Sequence, residues 1–259
     1  MEGRPITNAE LFSHNKRLLH QPKDTNFIMR IHELWEQLIS RNCGRQSELR
    51  HRNKLLILLA TVAGLREIEL TLITNRLFMT PEGLLNEVVV LPASITRDGY
   101  ERPIVLSHPE LKRAFESYFD WLITHKINSY PHKHYKGLDP NSALLVADNL
   151  KPFTTQSRGS AISPYAMNKK LDSLISDTGL WDNGIRRISL VRTCVVELYR
   201  NGASTTDIMI ITGFSEESIR QILTMDYMQL SPIYDWFEQR AERKQKRLES
   251  FKKRRRFMI

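Results

Sequence analysis

Between Lys54 and Gly64 the chain reads KLLILLATVAG, a helix-length run with no polar face. A helix that is apolar all round is stable only when it is packed on every side. This segment therefore belongs at the centre of a core, and the rest of the chain must supply the walls. Upstream, Phe27, Ile28, Ile31, Leu34, Trp35, Leu38 and Ile39 recur at i, i+3/i+4 spacing. That pattern predicts a helix with one buried face, ending near Asn42-Cys43-Gly44, where glycine can take a left-handed cap. The central helix is predicted to start near Ser47, and a short helix should run from Arg66 to about Thr74.

The pattern then changes. Two β-branched runs, Glu87–Leu91 and Pro103–Leu106, flank a polar stretch containing Asp98-Gly99, the signature of an antiparallel hairpin. Helical periodicity returns over Pro109–His125, and "SYPHKHYKGLDPNS" is a basic, turn-rich loop. Ser163-Pro164 is a helix start, cap then first-turn proline, for a helix through Ser176. Three helices are predicted next, Ser189–Arg200, Ser204–Thr212 and Ser215–Leu223, and a last one from about Pro232. The fold class is mainly α with a small antiparallel β-sheet. It occupies residues 25–230, between an N-terminal arm (1–24) and a basic C-terminal helix or tail (231–259). No internal repeat or low-complexity linker interrupts it.

Charge narrows the partners. Of 259 residues, 38 are Lys or Arg against 29 Asp or Glu, a net charge of +9. An excess of that size favours a polyanion, because neutralising phosphates releases counterions; a merely basic surface is the alternative. The two cysteines, Cys43 and Cys194, are far apart, so neither a disulfide framework nor a zinc site is indicated. The N-terminus "MEGRPITNAELFSHNK" lacks the apolar core of a signal peptide, and no run approaches a membrane span. These features predict a cytoplasmic protein, nucleoid-associated if bacterial, with no cofactor.

The chemistry-bearing residues cluster in four segments. In "AGLREIEL", Arg66 and Glu69 follow the apolar helix, and an i, i+3 ion pair between them is the purely structural alternative. The others are the hairpin "ITRDGYERPIVLS", the helix "SLVRTCVVELYRNG" and "IMIITGFSE". Together, in this order, they resemble the catalytic domain of the tyrosine recombinases, from about Leu49 to Tyr227. The resemblance implies a domain that binds double-stranded DNA and, in its active members, cleaves it by attack of a tyrosine on a phosphodiester. Two arginines clamp the charge that develops on the phosphate, and a hairpin lysine serves as general acid.

Carried over by resemblance, Arg66 and Arg192 are the two clamp arginines, and Glu69 is the acidic residue that supports them. Other positions depart from the family pattern. Arg97 stands where the hairpin lysine belongs, and a guanidinium is a poor proton donor though a good phosphate ligand. Ser189 stands three residues before Arg192, in the histidine position. Phe214 replaces the second histidine or tryptophan. The usual nucleophile spacing lands on Leu223, and the longer spacing of the yeast-type members lands on Tyr227.

These departures predict a DNA-binding protein with a degenerate active site, serving recombination of a mobile element as accessory subunit or regulator. The alternative is an active recombinase with Tyr227 as nucleophile. A helix-turn-helix regulator is the third possibility, since "STTDIMIITGFSEESIRQIL" has that shape, but Glu216 and Glu217 would oppose phosphate at the start of its second helix. Few residues precede the matching region, so the resemblance implies either a partner that supplies a missing core-binding domain or binding through one face. In the tail, Lys252, Lys253, Arg254, Arg255 and Arg256 suit sequence-independent phosphate contact. Ile233, Trp236 and Phe237 suit docking on a second protomer or a partner recombinase.

Overall fold

In the computed structural model, which describes residues 31–44, 48–131, 133–158 and 161–230, the apolar run is the central helix. Helix α1 (Ile31–Asn42) precedes it, and α2 (Arg50–Thr61) carries it. Leu55, Leu56, Ile57, Leu58 and Leu59 are each at most 1% exposed. Burying side chains of this size contributes about 1.5–3 kcal/mol apiece, which makes α2 a large source of hydrophobic stabilisation. The helix starts three residues later than Ser47 because Glu48 and Leu49 are taken into a turn.

Two short helices follow, α3 (Glu67–Leu72) and α4 (Asn75–Phe78), then the strands β1 (Val88–Leu91) and β2 (Arg102–Val105). The strands pair antiparallel, with Val89 opposite Ile104 and Leu91 opposite Arg102. Helix α5 (Pro109–Thr124) packs most extensively on α2. It seats Phe115 against Phe78, ring centroids 5.1 Å apart, and directs the Tyr118 hydroxyl to the Leu144 carbonyl at 2.9 Å.

The structure adds a second small sheet to the single one predicted. Strands β3 (Gln156–Arg158) and β4 (Ala161–Ser163) form an antiparallel pair. Ser163 is therefore the end of a strand, paired with Gln156, and the helix cap is Pro164. Helix α6 (Tyr165–Ser176) leads to α7 (Arg187–Arg200), α8 (Thr205–Thr212) and α9 (Glu216–Leu230). Helix α9 runs well past Leu223, so Tyr227 belongs to a helix and not to a connection.

Polar side chains lock the bundle. Asn42, at the end of α1, donates to Leu174 O at 3.0 Å and accepts, through its own carbonyl, the Asn53 amide at 3.0 Å. A smaller apolar cluster, Val195, Val196, Ile208, Ile219 and Ile222 with Phe214 and Leu223 against it, holds α7, α8 and α9 together. Among the described residues no helix is long and apolar enough to cross a membrane, and no group of three or more metal-ligating side chains occurs.

Candidate functional site

The site begins where α2 ends. Gly64 takes φ +65°, and an added Cβ would meet the Cys194 Sγ at 3.1 Å. The chain turns there against α7, and Cys194 donates to Val62 O at 3.2 Å. Burial pushes the Cys194 thiol up to about 12, so it acts as a packing group rather than a nucleophile. Arg66 is the N-cap residue of α3, and the turn carries its guanidinium inward: the residue is only 6% exposed.

Glu69 supports this turn in a way the sequence did not indicate. Its carboxylate accepts the Arg66 backbone N–H at 2.7 Å, satisfying one of the orphan donors at the start of α3. Its ion pair is with Arg102 of β2, not with the Arg66 side chain. Arg102 donates its Nε to Glu69 Oε1 at 3.1 Å and a second nitrogen to Oε2, and also reaches the Gly64 carbonyl at 3.2 Å and the Ile211 carbonyl. The pair thus ties α3, β2 and α8 at one buried point.

Arg66 is held differently. Its Nη2 donates to the Thr212 and Gly213 carbonyls, 3.3 Å each, at the end of α8. Its Nη1 lies 3.3 Å from both carboxylate oxygens of Asp98, in the connection between β1 and β2. Its Cζ stands 4.7 Å from the Phe214 ring centroid, a cation–π contact. Its Nε is buried and makes no hydrogen bond to any described residue. Gly213, at φ +67°, makes the close approach possible: a Cβ there would sit 3.0 Å from Asp98 Oδ2 and 3.8 Å from Arg66 Nη2.

The other predicted residues fall in distinct settings. Arg192 is half-buried on α7, and desolvation holds its guanidinium below the ordinary arginine pKa. Helix α7 is fastened beside the Arg66 turn by Arg187, which bridges Glu67 at 3.3 Å and Asp172 at 2.9 Å. Ser189 is 1% exposed and its hydroxyl accepts the Arg186 N–H at 3.1 Å, so it caps α7 from within. Phe214 packs against the second cluster, as does Leu223. Arg97 is exposed beside Asp98. Tyr227 lies one helical turn beyond Leu223 on α9. The segment holding Lys252, Lys253, Arg254, Arg255 and Arg256, and that holding Ile233, Trp236 and Phe237, lie outside the described residues.

Comparison with known proteins bears on the fold. No protein-family model and no curated protein matches the sequence. Among solved structures, the XerA recombinase is similar over 83% of this chain and 65% of its own, with 16% identity and a TM-score of 0.53. The XerH site-specific recombinase, solved with its palindromic difH substrate, is similar over 83% of this chain and 54% of its own, at 16% identity and a TM-score of 0.55. The fold is tyrosine-recombinase-like. The Tn1549 transposon integrase, solved with a circular intermediate DNA, is similar over 81% of this chain and 64% of its own, at 15% identity and a TM-score of 0.51. The chain thus spans between 54% and 65% of the length of these recombinase-fold structures.

Arg102 and Asp98 are the site residues that sequence reasoning missed. Arg102 shares the inward phase of β2 with Ile104 and Leu106, and a cation in register with buried apolar residues is a legible sign of an internal ion pair. Asp98 carried no such sign, since Asp-Gly serves equally well as plain turn chemistry.

Proposed function

We propose that this protein binds double-stranded DNA through the Arg66 face of a recombinase-like scaffold, with its own strand-cleaving chemistry lost. The observation that carries this reading is Arg66 itself. A guanidinium positioned by two backbone carbonyls and an aromatic ring, with its Nε unsatisfied, is preorganised to receive an oxyanion. The DNA substrates named for the XerH and Tn1549 structures, whose fold this chain resembles, support the choice of DNA over other polyanions. Arg192, on the helix fastened beside the Arg66 turn, is the second phosphate contact in this reading, and Arg97 a third.

What the remaining positions do supports the loss of cleavage. Ser189 spends its hydroxyl on a helix cap, Phe214 packs and stacks, Leu223 has no nucleophilic atom, and Arg97 puts a guanidinium, a phosphate ligand, where the pattern has the lysine acid. A residue lost singly would slow catalysis by a factor of about 10²–10⁴; lost together they leave little reaction. The protein then serves as an accessory subunit or regulator in the recombination of a mobile element. The basic segment Lys252–Arg256 adds sequence-independent contacts. The apolar Ile233, Trp236 and Phe237 engage a second protomer or a partner recombinase.

One observation favours a second reading, an active recombinase. Helix α9 continues to Leu230, which carries Tyr227 about 6 Å along the axis from Leu223 on the same helix. A nicked duplex that traps covalent intermediates separates the two. The proposal predicts no protein–DNA adduct, and an adduct abolished by Tyr227→Phe would overturn it. DNA binding is tested by titrating a labelled duplex at rising salt, where affinity should fall steeply and Arg66→Ala and Arg192→Ala should each weaken it. The acidic first turn of α9, with Glu216 and Glu217 both exposed, argues against the helix-turn-helix alternative.

A further inference from the structure

The Arg66 cradle already holds an anion, and it belongs to the chain. Asp98 presents both carboxylate oxygens to Nη1 at the same 3.3 Å, the end-on arrangement that two oxygens of a phosphate would adopt. The carboxylate fits into the space left by the missing side chain of Gly213. Arg66 has 7% of its side chain exposed, and Asp98 has 46%. The cation is fixed in the body of the fold while its counter-ion reaches in from outside.

The tip that carries Asp98, beyond Ile95, which packs on the core, has few ties to the body of the fold. Inside the connection, Thr96 Oγ1 donates to the Ala93 and Tyr100 carbonyls at 3.1 and 2.8 Å, and Ile95 N donates to Pro92 O at 3.0 Å. These bonds give the tip a shape of its own. Among the described residues, the hydrogen bonds that join residues 96–100 to residues outside the β1–β2 connection are those of Asp98 with Arg66. Gly99, at φ +71°, has nothing within 4 Å of its Cβ position, and Tyr100 is 78% exposed.

We infer that Asp98 is an internal substitute for the DNA phosphate, so that the hairpin tip gates the Arg66 site by charge competition. This rests on the DNA-binding reading above and specifies its regulation. A phosphodiester oxygen and the Asp98 carboxylate cannot share the same Nη1 face without like-charge repulsion. Binding therefore exchanges one anion for the other. Arg102 remains paired with Glu69 throughout, so the backbone around Arg66 keeps its form while the tip swings out. Arg97, the neighbour of Asp98 in sequence, moves with the tip and becomes a phosphate contact. Nonspecific small anions meet the same barrier, which biases the site toward a ligand that gains further contacts elsewhere, as a duplex does.

The test is a double-mutant cycle on a labelled duplex with wild type, Asp98→Asn, Arg66→Ala and the double variant, and Asp120→Asn, an exposed carboxylate on α5, as control for net charge. Removing a half-exposed competing charge should tighten Asp98→Asn binding by roughly five- to tenfold, more than the control, and the gain should vanish in the Arg66→Ala background. An affinity equal to or below wild type, or a gain that persists without Arg66, overturns the inference. If no variant binds DNA, the DNA reading fails and the gate is judged separately by titrating inorganic phosphate against the Arg66 Nε–H resonance, identified by its loss in Arg66→Ala. The gate stands if Asp98→Asn responds at lower phosphate concentration than wild type, and falls if the two responses coincide or neither responds.

Discussion

Two buried arginines, Arg52 and Arg66, show how the same side chain serves opposite ends. Arg52 is 0% exposed and every nitrogen has a close partner: Asn53 Oδ1 at 2.8 Å, Val146 O at 2.7 Å and Asp148 Oδ1 at 2.7 Å. Asp148 is held in turn by Lys170 of α6 at 3.0 Å. Arg66 is nearly as buried, yet its four hydrogen bonds all measure 3.3 Å and its Nε makes none. A saturated guanidinium at short range is a rivet between α2 and the loop at Val146. An unsaturated one at long range, on a rigid support, is in the proposed reading the group that exchanges its partner for a ligand. Arg102 belongs with Arg52, since its pairing with Glu69 builds the support on which Arg66 stands.

If this distinction is right, disrupting the supports should cost stability and disrupting Arg66 should cost binding. Glu69→Ala is expected to have the largest effect, a loss of about 3–5 kcal/mol by chemical denaturation, because it strands the Arg102 cation in the core. Arg52→Met should lower stability by about 2–3 kcal/mol through the unsatisfied Val146 carbonyl and the lost charged bonds, with duplex affinity unchanged. A weakened affinity there would break the contrast. Arg66→Ala should reverse the pattern, with stability altered by only about 1 kcal/mol and duplex affinity reduced more than about tenfold.

Two smaller effects sharpen the picture. Gly213→Ala forces an alanine to φ +67° against Asp98, at a cost of about 1–2 kcal/mol, and thermal melting should show it. The last test concerns pH. Burial works to raise the Asp148 carboxyl, but the bonds and charges of Arg52 and Lys170 outweigh it and hold the group below the ordinary aspartate value. A carboxyl whose folded pKa is depressed contributes stability above its unfolded pKa, about 3.9, that is lost as pH falls through the folded value. Asp148→Asn should therefore flatten the acid limb of the stability curve, and an unchanged limb would show that the Arg52 network is held by its neutral partners alone.

The legibility of these regions in the sequence was uneven. The all-apolar run of α2 announced a central helix because hydrophobicity without a polar face has one stable placement. The β-branched runs of β1 and β2, joined through Asp98-Gly99, announced a hairpin because turn chemistry between two strand-forming runs favours it. Strands β3 and β4 gave no such sign, since each is three residues long and Ile162 is the only large apolar side chain between them. Arg66, Glu69 and Arg192 were singled out through their resemblance to a known pattern, which said nothing of their partners. Local spacing suggested that Glu69 would pair with Arg66. The structure gives Glu69 to Arg102, 33 residues away, and Arg66 to Asp98, 32 residues away.

Among the described residues, the sequence by itself determined the longer helices, where the core lies, and that cations gather where the central helix ends, but not the short helix α4. Those properties follow from periodicity and hydrophobic burial, which act between neighbours along the chain. Which carboxylate neutralises which guanidinium, and which donor is left over, was decided only by tertiary structure. Electrostatic pairing depends on distance in space and on exclusion of water, and here the hairpin, the α3 turn and the glycine at the end of α8 bring together charges that no local pattern joins.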